Sequence, residues 1–311
     1  MLAAALVAAG GAVLPACASD HHVSPFPSVD AMELFRPRLD LAGQLERVGR
    51  EAKAGRLRET LRVEGKLPGG AVFVAIGYEG EDAIGQRVGA TRVVTPASIV
   101  LALGPPRLAR DAASLPAVLL ASLGPGGAYP SCTDMDGDGA PDVALRAEDG
   151  TLAVHRIDLQ GSSPYPIELR ALPTGVADVN EDGKPDLTGS PRPPDGDSLS
   201  PEMLDVAIAA PGGFRNDHPA ARLFHQRLRD RPALPAGAPL ARRLRQGLER
   251  AFHAAAAGEP VEAALQPVVD LAAAQHPLPE DLVASWVRWR GWVTDHGPGL
   301  PYREAPAAPE R

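Results

Sequence analysis

The amino-acid sequence predicts an α+β protein in which an antiparallel β-sheet region (residues 65–215) is followed by a small helical bundle (residues 216–297). Two patterns favour this fold class. Short apolar runs such as Ala71–Ile76 alternate with glycine-rich turns in the first region, which is typical of strands. Apolar residues recur every four positions across Leu240–Phe252, which indicates amphipathic helices in the second region. The 311 residues, of which 44% are hydrophobic, suffice to bury a core.

The first 17 residues predict an export signal. An apolar run from Leu2, too short to span a bilayer as a helix, leads into Leu14-Pro-Ala-Cys17. This ending resembles the lipobox of bacterial lipoprotein signal peptides. The resemblance implies cleavage before Cys17, lipidation of Cys17 and a lipid-anchored protein of the cell envelope, with Ala18 favouring the outer membrane. Cleavage after Ala18 is the alternative and would give a secreted protein.

The residues between the signal and the β region predict a tether and a helix. Pro, Ser and His are frequent in residues 18–38, which is typical of a flexible tether that carries the rest of the chain away from the membrane. Residues 39–64 are predicted to be helical because their apolar side chains share one helical face. These side chains are Leu41, Leu45, Val48, Ala52, Leu57 and Leu61.

Two acidic loops dominate the β region. Residues 134–142 have carboxylates at loop positions 1, 3, 5 and 9 and glycine at position 6, and residues 178–186 repeat the pattern with asparagine at position 3. Carboxylates this dense repel one another, and Ca²⁺ binds roughly six to eight oxygen ligands in flexible geometry, so the loops predict calcium sites. The alternative is a pair of solvated turns, since Asp and Gly are common turn residues. The candidate ligands are Asp134, Asp136, Asp138 and Asp142 in the first loop and Asp178, Asn180, Asp182 and Asp186 in the second.

The surroundings of the loops exclude an EF-hand and resemble another family. Position 12 is Leu145 or Gly189 rather than the bidentate acid of an EF-hand. The first loop is followed by a strand-like run, the turn Asp149-Gly150 and a second strand. Leu204–Phe214 has the strand and the Gly-Phe ending of a further unit. These features resemble FG-GAP/VCBS repeats, the calcium loops of integrin-α-type β-propeller blades.

The resemblance covers about residues 116–214 and implies that the candidate residues of both loops ligate Ca²⁺ at the edges of blades. A propeller typically needs about four or more blades, whereas the sequence contains two clear loops. The expected architecture is therefore an incomplete propeller, with blade-like calcium loops in an antiparallel sheet region.

The helical region is predicted to contain several short helices, the last of which carries three tryptophans on one face. The segments are residues 219–230, 240–256, 261–276 and 280–294. Trp286, Trp289 and Trp292 follow each other at intervals of three residues, which favours a core or an interdomain seam. An aromatic platform for a ligand such as a sugar is the alternative. Residues 298–311 are rich in Pro and Ala and predict a disordered tail.

Composition and motifs favour a binding or structural module whose partner is a protein or a glycan. The net charge of −8 and the lack of a basic stripe argue against a nucleic-acid partner. Without a G-x-S-x-G or H-E-x-x-H motif, the sequence predicts no enzyme. The alternative is a calcium-scaffolded hydrolase or a polysaccharide-acting envelope protein. If Cys17 is lipidated, Cys132 has no disulfide partner, which predicts a buried inert thiol or, alternatively, a reactive one.

Overall fold

The computed structural model describes residues 40–81, 85, 87–104, 117–147, 149–275 and 277–298. The predicted signal peptide with Cys17, the tether and nearly all of the predicted tail lie outside these residues. Within the described part of the chain, helices and antiparallel sheets occur together, which confirms the α+β fold class. No helix there is long and apolar enough to cross a membrane.

The first helix is shorter than the sequence predicts. Helix α1 spans Leu41–Ala54 and begins at Asp40, whose Oδ1 accepts a hydrogen bond from the Gly43 N–H at 3.1 Å. The prediction of a helix over residues 39–64 is wrong beyond Ala54. Gly55 follows the last helical turn, Arg56 has a positive φ of 55°, and the chain then enters a strand. Pairing with a neighbouring strand therefore overrides the helical spacing of the last apolar residues.

The first sheet is a four-stranded antiparallel sheet whose strands neighbour one another in chain order. Its strands are β1 Arg58–Lys66, β2 Val72–Glu81, β3 Arg87–Val94 and β4 Ile99–Leu103. Val48 and Ala52 of α1 pack on one face of this sheet, against Val74 and Ile76. The opposite face packs on the second sheet, which buries the apolar side chains of both.

Two further antiparallel sheets follow, each also with four strands in chain order. The second contains β5 Ala117–Leu119, β8 Asp142–Ala147, β9 Leu152–Ile157 and β10 Ser162–Pro164, and the short pair β6 Ser122–Leu123 and β7 Tyr129–Pro130 precedes β8. The third contains β11 Pro173–Ala177, β12 Asp186–Gly189, β13 Asp205–Ala210 and β14 Gly213–Arg215. A shared core lies between these two sheets, with Leu152, Leu187 and Phe214 fully buried in it.

Each acidic loop occupies the same place in its sheet. The loop at residues 134–142 leads into β8, the second strand of its sheet, and the loop at residues 178–186 leads into β12, the second strand of the next. Asp142 and Asp186, at loop position 9, are the first residues of these strands. The repeat in the sequence is therefore also a repeat in the topology.

The helical bundle consists of α2 Pro219–Arg229, α3 Leu240–Ala256, α4 Val261–Ala273 and α5 Glu280–His296. Its core contains Trp286 and Trp289, which are 8% and 2% exposed, so the tryptophan face is a packed core rather than an open platform. Leu199 and Met203, from the connection between β12 and β13, also pack into this core. That connection thereby attaches the bundle to the third sheet.

Cys132 is buried against the first sheet, in the core that it shares with the second. Burial raises the pKa of its thiol to about 12, and its sulfur lies 3.9 Å from the Val63 carbonyl oxygen. Because the thiolate is the reactive form, this environment matches the buried thiol of the two alternatives that the sequence left open.

Candidate metal centre

The first loop brings three carboxylates to one point. Oxygens of Asp134, Asp136 and Asp138 all lie within 4.8 Å of one another. Two ligands that share one Ca²⁺ at about 2.4 Å can lie at most about 4.8 Å apart, so this spacing permits a common ion. The turn depends on Gly139 at position 6, whose φ of 86° is in the left-handed region that favours glycine.

Backbone N–H groups of the loop orient these carboxylates. Asp134 accepts hydrogen bonds from Gly137 and Gly139 at 2.7 and 2.9 Å. The Asp138 and Ala140 N–H groups donate to Asp136 and Asp138 respectively, at 3.0 and 2.7 Å. A carboxylate offers about four lone-pair sites, so each side chain keeps acceptor capacity for a cation.

Asp142 supplies the clearest sign that a positive group belongs here. Its side chain is fully buried, and Oδ2 accepts from the Met135 N–H at 2.7 Å, but Oδ1 has no hydrogen-bond partner among the described residues. The Tyr165 hydroxyl, which is likewise buried without a partner that meets hydrogen-bond geometry, lies close enough to Asp142 to lower the pKa of that carboxyl as a hydrogen-bond donor does. Burial, helped by the charges of Asp136 and Asp138 and opposed by the hydrogen bond from Met135, raises the pKa of Asp142 to about 7. A cation beside Oδ1 would satisfy the orphaned oxygen.

Two cationic side chains offset part of the charge of the loop. Arg156 Nε on β9 lies 3.2 Å from Asp138 Oδ2, and Lys184 Nζ donates to the Asp136 carbonyl oxygen at 3.0 Å. With Asp134, Asp136, Asp138 and Asp142 ionised, four negative and two positive charges leave a formal charge of −2. The loop thus has the charge and the hard oxygen donors that suit one divalent cation, and the residues fit a metal ion.

The second loop differs from the first. Both oxygens of Asp186 accept backbone hydrogen bonds, from Val179 at 2.7 Å and Ala209 at 2.9 Å, so no oxygen is orphaned there. The Asn180 amide donates to Asp182 Oδ2 at 2.9 Å and so occupies an acceptor that a cation would use. At loop positions 1, 3 and 5 this loop has two carboxylates, Asp178 and Asp182, with Asn180 between them, whereas the first loop has three carboxylates that converge.

The first loop is bonded to the third sheet as well as to its own. Asp136 Oδ2 accepts from the Gly212 N–H, in the β13–β14 turn, at 2.7 Å. Lys184 reaches the same loop from the second acidic loop. The carboxylates therefore hold together segments that lie far apart in the chain, and anything that orders the loop also fixes the contact between the two sheets.

A buried polar network links the third sheet to the helical bundle. The sequence analysis did not predict it. His225 on α2 lies 3.1 Å from Asp205 on β13 and 2.9 Å from His253 on α3, measured between side-chain atoms. Arg170 donates to both Asp205 oxygens, from its side chain and its backbone, at 2.7 Å. These residues come from separate elements, so no local motif could have revealed the network.

No protein-family model matches this chain, and no curated protein or solved structure matches it significantly.

Proposed function

We propose that the first acidic loop binds one calcium ion, and that this ion stabilises an exported envelope protein which acts by binding a partner. The cation would fasten the start of β8 to the turn between β13 and β14, through Asp142 and Asp136. Without a cation, the clustered carboxylates repel one another and the loop loses order. Calcium is the ion proposed because all the candidate ligands are oxygens and the loop is built on a flexible turn.

The observation that carries this proposal is the orphaned Oδ1 of Asp142. A fully buried carboxylate oxygen without a donor is costly to fold, and that cost disappears when a cation occupies the adjacent space. The oxygen cluster of Asp134, Asp136 and Asp138 belongs to the same loop, and Asp142 lies outside its 4.8 Å spacing, so the loop would close further onto the ion for Oδ1 to reach it. The second loop has asparagine in place of one carboxylate, and both oxygens of Asp186 have donors, so we propose that it is a weaker site or a plain turn.

The partner and the location are proposed from the sequence. The lipobox-like ending at Cys17 supports a lipid anchor in the outer membrane, and export without the anchor is the alternative. The sheets would offer a rigid surface to which a protein or glycan ligand binds. FG-GAP/VCBS-like repeats and an incomplete propeller are supported by the three four-stranded sheets in chain order and by the repeated loop position.

The geometry favours binding over hydrolysis. The cluster that looks most like catalytic machinery, Asp205 with His225 and His253, is buried, with each histidine less than 5% exposed. Its hydrogen-bond partners are its own members and Arg170, and Phe252 packs against the ring of His225. This cluster has neither a nucleophile nor access for a substrate, so its role is to join α2 and α3 to the third sheet.

Thermal unfolding in calcium and in chelator tests the metal proposal. At a calcium concentration one hundred times Kd, binding adds about 2.7 kcal/mol to the free energy of unfolding. For a chain of this size that raises Tm by roughly 4–5 °C. The double variant Asp134→Asn/Asp138→Asn removes two charges from the cluster and should abolish the shift.

The exposed turn at Asp149 provides the matched control. Asp149 accepts a hydrogen bond from the Thr151 N–H at 2.9 Å, as the loop aspartates do from their own backbone, but it lies outside the cluster. Asp149→Asn should keep the full calcium response. Equal Tm values of the unmodified chain in calcium and in chelator would overturn the proposal.

A further inference from the structure

The helical bundle contains a cleft that the metal centre does not use. It has a volume of about 410 Å³ and lies where facing sides of α3 and α4 meet residues 229–234. Cavities of this size hold small organic molecules rather than macromolecular surfaces. The cleft is therefore a candidate site for a small ligand.

Small side chains create the space. Gly247, Ala251 and Ala254 of α3 face Ala263 and Ala264 of α4. A Cβ added to Gly247 would meet Val268 Cγ2 at 2.5 Å, so the two helices approach closely there. Where alanines stand on both sides, by contrast, the short side chains leave volume between the helices.

Apolar and polar groups share the walls of the cleft about equally. Leu234, Val268 and Leu271 line it together with the alanines. Pro267, inside α4, also lines it, and because proline has no N–H, the carbonyl of Ala263 lacks its intrahelical donor. An apolar ligand body would remove these walls from water, which favours binding in proportion to the area covered.

The rim of the cleft carries an excess of positive charge. Three arginines and Glu259 line it, and Asp230 is ion-paired with one of these arginines, which gives +3 − 2 = +1, whereas the whole chain carries −8. Arg229 is neutralised by Asp230 and Glu259. Arg243 donates to the Ala236 carbonyl oxygen at 3.3 Å, and no carboxylate of the described residues lies within ion-pair distance of it.

Arg250 is the least engaged of the three. In the described part of the chain it makes neither a hydrogen bond nor an ion pair within 4.0 Å, although it is half-buried at the cleft and its charge helps to lower the pKa of Asp230. A guanidinium offers paired donors that match a carboxylate in a bidentate geometry. Arg250 can therefore receive the charged end of a ligand without first breaking a bond within the protein.

We propose that this cleft binds a small amphipathic organic anion, with its apolar body between α3 and α4 and its carboxylate at Arg250. The charge of the rim selects against cations, and the alanine walls select for an apolar body. This site is independent of the loop that we assign to calcium, which belongs to the β region of the chain.

Isothermal titration calorimetry of the full chain with four probes tests whether the ligand needs both a negative charge and an apolar body. Octanoate combines charge and apolar body, octan-1-ol lacks the charge, octyltrimethylammonium reverses it, and acetate lacks the body. We expect saturable binding of one octanoate per chain and binding at least about tenfold weaker for each of the other three. The affinity should be the same in calcium and in chelator.

Two pairs of matched variants test whether the ligand binds in the cleft. Arg250→Gln should weaken octanoate binding about tenfold, whereas Arg242→Gln, at an exposed position on the same helix, should leave it unchanged. Ala263→Phe fills the cleft from an exposed position and should abolish binding, whereas Ala284→Phe on the exposed side of α5 should not. Unchanged circular dichroism and Tm verify that each variant folds.

Three results would overturn this inference. The first is the lack of saturable octanoate binding by the unmodified, folded chain. The second is equal affinity for octanoate and octyltrimethylammonium, which would show that the arginines do not select the charge. The third is unchanged octanoate binding by Ala263→Phe, which would place the ligand elsewhere.

Discussion

Acidification should destabilise the protein through the buried histidine pair, and His253 offers the clearest perturbation. Burial, helped by the neighbouring His225, lowers the pKa of His253 to about 3. The folded chain thus holds His253 neutral, with its Nδ1 facing Nδ1 of His225 at 2.9 Å. The charged groups that influence it are Asp205, Arg231 and Arg170, besides His225.

The size and sign of the effect follow from the difference in pKa between the two states. In the unfolded chain the pKa of His253 is 6.5, so this contribution to stability is fully present above that pH and is lost as the pH falls toward 3. The maximum is (6.5 − 3) × 1.36, or about 5 kcal/mol. Between pH 7 and pH 4.5 the free energy of unfolding should fall by roughly 2–3 kcal/mol through this residue alone.

Asp205 does not confuse this measurement, whereas Asp142, whose pKa burial raises to about 7, takes up a proton in the same window and opposes the loss; the contribution of His253 is therefore read from the difference between the unmodified chain and a His253 variant. The hydrogen bond from His225 and the charge of Arg170 hold the pKa of Asp205 below its usual 3.8, even though burial opposes them. Its contribution is present above pH 3.8 and is lost only below it, outside the window between pH 7 and pH 4.5.

Urea unfolding at several pH values between 7 and 4.5 provides the assay. His253→Asn keeps an amide near the position of Nδ1 but cannot titrate, so its free energy of unfolding should fall less steeply with pH than that of the unmodified chain. His296→Asn, at an exposed position on α5, should retain the original slope. Identical slopes for His253→Asn and the unmodified chain would refute the assignment of the pH dependence to this pair.

Two further predictions concern single contacts. Lys184→Met removes a positive charge beside the first loop, so calcium affinity measured by titration calorimetry should rise about two- to fivefold; unchanged or weaker binding would contradict the charge balance. Trp289→Phe removes the hydrogen bond from Nε1 to Asp197 at 3.0 Å and should lower the urea-derived free energy of unfolding by roughly 1.5–3 kcal/mol. Trp292→Phe, at a half-buried ring, should cost less; equal costs would contradict a role for the Asp197 bond.

The sequence predicts those parts of the fold that depend on local pattern. The spacing of leucines predicted helix α3, and the Asp149-Gly150 turn predicted the hairpin of β8 and β9. Both signals are local, because the residues that carry them are close together in the sequence. The end of α1 was missed, since Leu57 and Leu61 continue the helical spacing while the backbone turns at Arg56. Whether such a segment becomes helix or strand depends on its pairing with other strands, and the local sequence pattern does not indicate that pairing.

The candidate metal centre, like the fold, could be predicted from the sequence only where its contacts are local. The spacing of aspartates in residues 134–142 predicted a cluster because the ligands come from one short turn. The contacts of Asp136 with Gly212 and Lys184 join segments that are remote in sequence and so could not be predicted. The difference between the two loops was also hidden, because it depends on which donors reach Asp142 and Asp186 in space.

A crystal structure of the chain grown with calcium would test the central claim most directly. We predict one ion in the first loop, about 2.3–2.6 Å from oxygens of Asp134, Asp136 and Asp138 and from the orphaned Oδ1 of Asp142. The contradictory result would be an ion-free loop at millimolar calcium, with Oδ1 of Asp142 bonded to water or to the Tyr165 hydroxyl instead.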